Sequence, residues 1–151
     1  MERTLVLVKP DGVQRGLVAE ILGRFERRGL HLRGLKLMRV TPELAAKHYA
    51  EHQGKPFYEG LIAFITSSPV VAMVYEGEGV VAAVRTMMGA TNPADAAPGT
   101  IRGDLALDLG MNTVHGSDSV ERGAQEVALF FSEDELVAWG PALAAWVREK
   151  G

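Results

Sequence analysis

The sequence predicts an α+β fold for this chain of 151 residues. Short apolar, β-branched runs, of which Thr4–Val8 is the first, are separated by longer segments whose apolar residues recur at helical spacing. Apolar residues make up 47% of the chain and charged residues 23%, which is typical of a globular protein with a buried core. These observations predict strands and helices packed together in one domain, 1–151.

Turn and capping residues punctuate the predicted elements. The elements are a strand over 4–8, a helix over 17–25, a strand over 30–40, helices over 41–49 and 57–65, a strand over 70–75, and a helix over 80–88. Pro10-Asp11-Gly12 favours a tight turn after the first strand, and Gly29 stands where a helix C-cap is expected. Thr41-Pro42 supplies an N-cap and a first-turn proline for the second predicted helix.

The last third of the chain is less regular. Residues 89–108 are predicted to be a long loop, and loops of that length in compact domains usually have a function. A short strand over 111–115 is followed by a helix to about residue 131, with Asp118 and Glu121 resembling a capping box. The segment 133–151 is interpreted as an added helical extension.

The order of elements predicts a ferredoxin-like βαββαβ sandwich with an inserted helical pair and a C-terminal helical extension. The chain contains no cysteine, which excludes disulfides, thiolate metal sites and cysteine nucleophiles. We expect a cytoplasmic protein with no membrane contact, because no apolar run approaches a membrane span and the start lacks the pattern of a signal peptide. The net charge of −3 disfavours nucleic acid as the primary ligand, so phosphate binding must depend on a few local cations.

The four histidines differ in context. His31 lies on the polar phase of a strand and is interpreted as solvated, while His48 and His52 lie near a helix end, where a cationic side chain is ordinary. His115 ends a strand and precedes a Gly-Ser-Asp turn into a helix N-terminus, a place that favours an anion. We therefore select His115 as the candidate nucleophile, with a structural histidine as the alternative.

The remaining candidates would orient this histidine or bind phosphate. A nucleophilic imidazole needs an acceptor on its other nitrogen, and Ser117 and Glu126 are candidates, although Glu126 could instead form an exposed ion pair with Arg122. No Walker-type loop is present, because Gly54-Lys55 runs into Pro56. Scattered cations are the alternative phosphate clamp, for which the candidates are Lys9, Arg85 and Arg102. Phe57 could either cap a core or stack on a base.

Several of these residues belong to segments that resemble a known family. The segments are Lys9-Pro10-Asp11-Gly12, Thr91-Asn92-Pro93, Pro98-Gly99-Thr100-Ile101-Arg102-Gly103-Asp104 and Asn112-Thr113-Val114-His115-Gly116-Ser117-Asp118-Ser119. In this order and spacing, the segments strongly resemble those of nucleoside diphosphate kinase. The resemblance extends over essentially the whole chain. Met111 departs from the arginine that the family often has there, and Leu105 from the usual aromatic residue, which puts local loop support in doubt.

The resemblance implies a ping-pong reaction in which a nucleoside triphosphate, usually ATP, phosphorylates His115 and a nucleoside diphosphate then collects the group. Broad tolerance of the base and of ribose or deoxyribose is implied as well. By position, Glu126 and Ser117 would orient His115, and Tyr49 would lie close to the transferred group. The implied nucleotide-binding residues are Lys9, Phe57, Arg85, Thr91, Arg102, Asn112 and Leu109. Mg²⁺ would be bound mainly through the nucleotide phosphates, so we assign no residue as a metal ligand.

The resemblance also implies a homo-oligomer, because family members form hexamers or tetramers built on a common dimer. The long C-terminal segment with Trp139 and Trp146 favours the hexamer. Three alternatives remain open: a catalytically silent nucleotide-binding protein of the same fold, a histidine phosphatase that passes the group to water, and an RNA-binding module. The last would need aromatic residues on its sheet, and Thr4–Val8 contains none.

Overall fold

A computed structural model describes residues 1–149 and shows an antiparallel sheet in the strand order β2, β3, β1, β4. The strands are β1 (Arg3–Val8), β2 (His31–Met38), β3 (Val70–Glu76) and β4 (Val114–Gly116). Both neighbours of β1 run antiparallel to it, with Leu7 opposite His115 on one side and Ala72 on the other. This order is that of a ferredoxin-like sandwich, so the predicted fold class is confirmed.

The helices lie between the strands as the sequence predicts, with two additional short helices. They are α1 (Pro10–Gln14), α2 (Val18–Arg28), α3 (Pro42–His48), α4 (Tyr58–Thr66), α5 (Val80–Met88), α6 (Ile101–Leu105) and α7 (Val120–Phe130). Gly29 ends α2 in the left-handed conformation, with φ of 94°, and the Thr41 side chain accepts a hydrogen bond from the Leu44 N–H at the start of α3. None of the helices described combines the length and apolar character needed to cross a bilayer.

The core consists of two apolar clusters, one on each face of the sheet. On β1, Leu5 and Leu7 belong to the cluster that includes Val127 of α7, whereas Val6 and Val8 belong to the cluster that includes Phe25 of α2. Because successive side chains of a strand point to opposite faces, a strand covered on both sides needs apolar residues throughout. This requirement explains the unbroken apolar run of β1.

The helix α7 lies unusually close to the sheet. A Cβ atom at Gly123 would collide with the main-chain carbonyl oxygen of Arg3, so only glycine permits this approach. Glu126 follows Gly123 by about one helical turn and is itself buried. The glycine therefore brings a carboxylate down onto the sheet.

Four predicted details differ from the structure. Pro10-Asp11-Gly12 begins a short helix instead of a turn, and the predicted loop over 89–108 contains α6 and a single 3₁₀ turn at Pro93–Asp95. The last strand is shorter than predicted because Thr113 has φ of +66°, which breaks the extended backbone before Val114. The N-cap of α7 is Ser119 and not Asp118, since the Ser119 hydroxyl accepts from the Arg122 N–H at 3.0 Å.

The C-terminal segment is mostly irregular in the described residues. Its regular pieces are two 3₁₀ turns, Glu133–Glu135 and Ala144–Trp146, instead of a continuous helix, and the last two positions of the predicted extension lie outside the described residues. His31 is also not simply solvated, because its ring meets Trp139 edge to face with centroids 5.2 Å apart. The Trp139 indole N–H donates to the Leu32 carbonyl at 2.7 Å, which ties this segment to β2.

Candidate active site

His115 occupies the middle of β4, and one of its two ring nitrogens is already engaged. Its Nε2 lies 2.9 Å from Oε1 of Glu126, while the ring as a whole remains partly exposed. A hydrogen bond to an ionised carboxylate places the proton of a neutral imidazole on Nε2. The lone pair on Nδ1 is then available to an electrophile, as nucleophilic catalysis requires.

Glu126 is a buried anchor and not the exposed ion-pair partner that was the alternative interpretation. Its Oε1 also accepts the Ser117 hydroxyl at 2.6 Å, and its Oε2 accepts Nη2 of Arg122 at 3.2 Å. Burial alone would raise the pKa of Glu126, but the hydrogen bond and charge of His115 and the Ser117 hydroxyl lower it to about 2. The carboxylate of Glu126 is therefore ionised at neutral pH.

The Ser117 side chain connects this anchor to the centre of the sheet. Its hydroxyl oxygen accepts from the Leu5 N–H at 3.1 Å, and the Ser117 N–H donates to the Leu5 carbonyl at 3.2 Å. Ser117 is fully buried, so its position depends on β1 and not on a surface loop. The predicted orienting role of Ser117 and Glu126 has the geometry that it needs.

His48 is a member of this site that the sequence analysis misjudged. It was interpreted as an ordinary cation at a helix end, but the residue is buried, and its ring lies edge to face against His115 with centroids 4.8 Å apart. Desolvation, with a smaller contribution from the charge of His115, lowers the pKa of His48 to about 3, so the ring is uncharged. The available signal was the spacing of Ala45 and His48 on the one buried face of α3.

Tyr49 follows His48 and is mostly enclosed. Its ring lies 4.6 Å from that of His48, centroid to centroid. Burial, assisted by the negative charge of Glu126, raises the pKa of Tyr49 to about 12. The phenol therefore keeps its proton at neutral pH and can only donate or accept as a neutral group.

The two candidate arginines contact the backbone of β4 next to His115. Arg102 donates from Nη2 to the Val114 carbonyl at 2.6 Å, and Arg85 approaches the Gly116 carbonyl with Nη1 at 3.5 Å. Val114 and Gly116 are the immediate neighbours of His115 on β4. The unpaired edge of β4 thus holds both guanidinium groups at the carbonyls that precede and follow His115 in the chain.

Arg102 is buried, and two further N–H groups of its guanidinium donate to main-chain carbonyls, which leaves two of its five N–H groups for a ligand. Nε donates to the Asn112 carbonyl at 3.3 Å and Nη1 to the Gly89 carbonyl at 3.1 Å. Burial, together with the positive charge of Arg85, lowers the pKa of Arg102 to about 10. The group remains charged at neutral pH, and within residues 1–149 no carboxylate forms an ion pair with it.

Asn112 connects Lys9, the third candidate cation, to Arg102. Its side-chain oxygen accepts from Nζ of Lys9 at 2.9 Å, and its side-chain nitrogen donates to the Thr91 carbonyl at 3.1 Å. Burial and the charge of Arg102 lower the pKa of Lys9 to about 8, with a smaller opposing effect from Asp11. The predicted residues Lys9, Thr91, Arg102 and Asn112 therefore form one connected group.

Phe57 and Leu109 are the half-exposed apolar members of the predicted set. The exposed fractions are 51% for Phe57 and 54% for Leu109, which excludes the interpretation of Phe57 as a core residue. The Phe57 ring packs against His52 with centroids 5.3 Å apart. Of the two departures from the family pattern, Met111 is half exposed, whereas Leu105 packs against the core cluster that includes Phe25.

Comparison with known proteins adds an independent line of evidence. A family model described as nucleoside diphosphate kinase matches residues 2–136. A curated nucleoside diphosphate kinase of Carboxydothermus hydrogenoformans is 62% identical over 149 residues, covering 99% of this chain and 100% of that relative. One from Gloeobacter violaceus is also 62% identical, with the same coverage of both chains.

Two solved structures have the same fold over nearly the full length. A halophilic nucleoside diphosphate kinase from Halobacterium salinarum, in complex with CDP, superposes with a TM-score of 0.95 and 57% identity, covering 98% of this chain and 99% of that one. A nucleoside diphosphate kinase family protein from Babesia bovis superposes with a TM-score of 0.96 and 45% identity, covering 98% and 100%.

Proposed function

The chain belongs to the nucleoside diphosphate kinase family and transfers the γ-phosphoryl group of a nucleoside triphosphate to a nucleoside diphosphate, and we propose that His115 carries that group between the two substrates. The observation that supports this role is the hydrogen bond between Nε2 of His115 and the buried Glu126, which leaves Nδ1 free on a strand whose neighbouring carbonyls bind two arginines.

In the first half of the reaction, Nδ1 of His115 attacks the γ-phosphorus. The bond from phosphorus to the bridging oxygen breaks, and its electron pair leaves with the nucleoside diphosphate. The ring gains positive charge as the P–N bond forms, and the carboxylate of Glu126 stabilises that charge through Nε2–H. In the second half, a terminal oxygen of another diphosphate attacks the phosphorus, and the electron pair of the P–N bond returns to Nδ1.

The cations supply the electrostatic part of catalysis. Phosphoryl transfer depends mainly on positioning and on neutralising the charge of the transferred group, so we assign Arg85 and Arg102 to the phosphates on either side of His115. Lys9 and Asn112 would reach the phosphates and the sugar hydroxyls, and Thr91 would contribute a further phosphate contact. Tyr49, which keeps its proton, would donate a hydrogen bond close to the transferred group.

The residues present fit Mg²⁺ only as part of a nucleotide complex. The carboxylate that contacts His115 is that of Glu126, and its oxygens are occupied by His115, Ser117 and Arg122. The cluster of His48, His115 and Glu126 offers one carboxylate and two imidazoles, whereas Mg²⁺ prefers six oxygen ligands. We therefore propose that the phosphates hold Mg²⁺, which would neutralise part of their negative charge during transfer.

The half-exposed faces of Phe57 and Leu109 support a base held by apolar contact from its two sides. Because every base has a π-face, such a contact distinguishes poorly between bases. We propose that the enzyme accepts purine and pyrimidine nucleotides, with either ribose or deoxyribose.

We further propose that the enzyme is a cytoplasmic homo-oligomer, with a hexamer favoured over a tetramer. The edge strand β2 exposes 49% of Leu35 and 68% of Leu37, and the C-terminal segment exposes 87% of Trp146. Apolar residues on an unpaired strand edge are usually covered by another chain.

A labelling experiment tests the central proposal. The protein is incubated with Mg²⁺ and γ-labelled ATP and quenched, and the label is examined for acid lability and base stability. We expect label on His115 that moves to added GDP or dTDP, no label on a His115→Asn variant, and normal labelling of a His31→Asn control. Label lost only to water would instead identify a phosphatase, and no label would identify a silent nucleotide-binding protein.

The anchor can be tested separately with Glu126→Gln. This change keeps a hydrogen-bond acceptor but removes the negative charge facing Nε2, so kcat should fall about 100-fold. The matched control is Glu20→Gln, which removes a charge that pairs with Arg24 on α2, away from His115. Equal kcat values for the two variants would contradict the assigned role of Glu126.

A further inference from the structure

We propose that His48, His115 and Glu126 form a binding site for a transition-metal ion such as Zn²⁺, and that occupation of this site silences the nucleophile. One ligand atom from each residue lies within 4.8 Å of the other two. Two imidazoles and one carboxylate are a donor set that Zn²⁺ binds in proteins, with a fourth position left for water. The inference rests on the function proposed for His115 but concerns a ligand that the phosphotransfer reaction does not use.

An orphaned atom points to a ligand at this place. Nδ1 of His48 is buried and has no hydrogen-bond partner among the described residues, while Oε2 of Glu126 lies 3.6 Å away, too far for a hydrogen bond. The His48 side chain is only 2% exposed. A buried polar atom without a partner is costly, and a metal ion accepting its lone pair would satisfy it.

The donors lie close together but are not yet arranged around an ion. Bonds of about 2.0 to 2.1 Å place two tetrahedral ligand atoms about 3.3 Å apart. His115 Nε2 lies 2.9 Å from Oε1 of Glu126 and His48 Nδ1 lies 3.6 Å from Oε2, whereas the one ligand atom that each residue would contribute lies within 4.8 Å of the others. The rings and the carboxylate must therefore rotate towards one another when the ion binds.

The hydrogen bond from His115 Nε2 to Glu126 and the contact of Arg122 with Glu126 must change when the ion enters, whereas the Ser117 contact need not. Arg122 contacts Oε2 at 3.2 Å from a side chain that is 27% exposed, so it can turn towards solvent. The Ser117 hydroxyl can keep its bond to Oε1 and orient the coordinating carboxylate, as groups behind metal ligands usually do. His115 is 24% exposed, which gives the ion a path from solvent.

Metal binding would change which nitrogen of His115 carries the proton. The ion takes the lone pair that appears on Nε2 when its proton leaves, and the single proton of the neutral ring moves to Nδ1. Nδ1 then has no lone pair for the γ-phosphorus, so the loaded enzyme cannot be phosphorylated. Mg²⁺ would not compete, because it prefers oxygen ligands.

The test uses the full-length protein without nucleotide and titrates it with Co²⁺ as a spectroscopic substitute for Zn²⁺. We expect one Co²⁺ per chain with the intense visible absorption of tetrahedral coordination, displaced by Zn²⁺. His48→Asn should weaken binding more than about tenfold, since even outer-shell changes cost 10- to 100-fold. His52→Asn is the matched control, because His52 follows His48 by one helical turn and pairs with Glu51; it should bind normally.

X-ray absorption on the Zn²⁺-loaded wild-type protein gives an answer that needs no variant. Scattering from two imidazoles and oxygen ligands supports the site, whereas six oxygen ligands, or binding unchanged in His48→Asn, overturns it. Failure to bind any ion also overturns it. Because no nucleotide is present, these results are independent of whether His115 becomes phosphorylated, so failure of this inference is distinguishable from failure of the proposed function.

Discussion

The two ends of β1 carry positive charge in opposite settings. At the beginning of the strand, Arg3 donates to Glu76 at 2.8 Å, and Arg33 donates to the other oxygen of the same carboxylate at 2.6 Å. Just beyond its end, Lys9 and Arg102 are hydrogen-bonded to Asn112 and to main-chain carbonyls, with no carboxylate paired to either in the described part of the chain. The first group balances its charge internally, and the second leaves its charge for a ligand.

The ionisation of the two groups shows the same contrast. The hydrogen bond from Arg3, assisted by Arg33, lowers the pKa of Glu76, which means that this group favours its charged form. Burial lowers the pKa values of Lys9 and Arg102, and neighbouring positive charges lower them further. An anionic phosphate would relieve that repulsion. The comparison supports the ligand site that we propose, because its cations are held by carbonyls and amides and not by carboxylates.

The largest effect should come from replacing Arg102 by lysine. Arg102→Lys keeps the charge but loses the fork that bonds three carbonyls, so kcat/KM should fall about 100-fold, as for loss of one electrostatic stabiliser. Arg33→Lys is the matched control at the balanced end and should change kcat/KM by less than about twofold. Steady-state kinetics on both variants checks this. Similar losses in the two would show that the contrast between the ends has no functional meaning.

A smaller effect should follow the ionisation of Lys9. Because its pKa in the fold is about 8, Lys9 loses its charge above that pH, and the affinity for nucleoside diphosphate should fall by up to about tenfold between pH 8 and 9. Lys9→Arg should abolish this dependence, while Lys36→Arg, whose lysine pairs with Glu135, should preserve it. Calorimetric titration at pH 7, 8 and 9 measures the affinities. A dependence that persists in Lys9→Arg would assign it to another group.

The same ionisation should affect stability in the opposite direction. The pKa of Lys9 is about 8 in the fold against an ordinary value of 10.5, so the unfolded chain binds more protons between these values. The contribution of Lys9 to the free energy of unfolding therefore rises with pH across that interval. Urea unfolding of the wild type and of Lys9→Arg separates this contribution from that of other groups.

The smallest effect should come from Glu76→Gln, which tests the balanced end. The variant should lose about 1 kcal/mol of stability and about 3 °C in Tm at pH 7, with normal activity. Because the pKa of Glu76 is lowered in the fold, its contribution is present above its ordinary pKa and is lost as pH falls through the lowered value. Thermal melts at pH 7 and pH 3 should show the difference shrinking in acid. A loss of activity at neutral pH would contradict the division between the two ends.

Local patterns predicted the parts of the fold whose signals are local. The apolar run of β1, the caps at Gly29 and Thr41, and the helix carrying Arg85 all depend on near neighbours in the chain. Motif resemblance then selected the site residues, most of which the structure connects through Asn112 and Glu126. These predictions needed only residue type and spacing.

What the sequence did not reveal depends on contacts between distant segments. His48 is uncharged because α3 packs against His115 and Phe130, and His31 is partly enclosed because Trp139 covers its ring. The late beginning of the last strand arises at Thr113, whose N–H donates to the Asp11 carboxylate at 3.0 Å, 102 positions away in sequence. Periodicity contains no information about partners so distant in sequence.

The bond from the Leu5 N–H to Ser117 has a consequence for the temperature at which the enzyme stops working. Ser117 positions Glu126, and Glu126 sets the tautomer of His115, so this tautomer depends on the pairing of β4 with β1. That pairing spans only three residue pairs at the edge of the sheet. Such short edge strands detach at lower free energy than the rest of a fold. Heating should therefore inactivate the enzyme reversibly, by release of this strand, below the temperature at which the two apolar clusters melt.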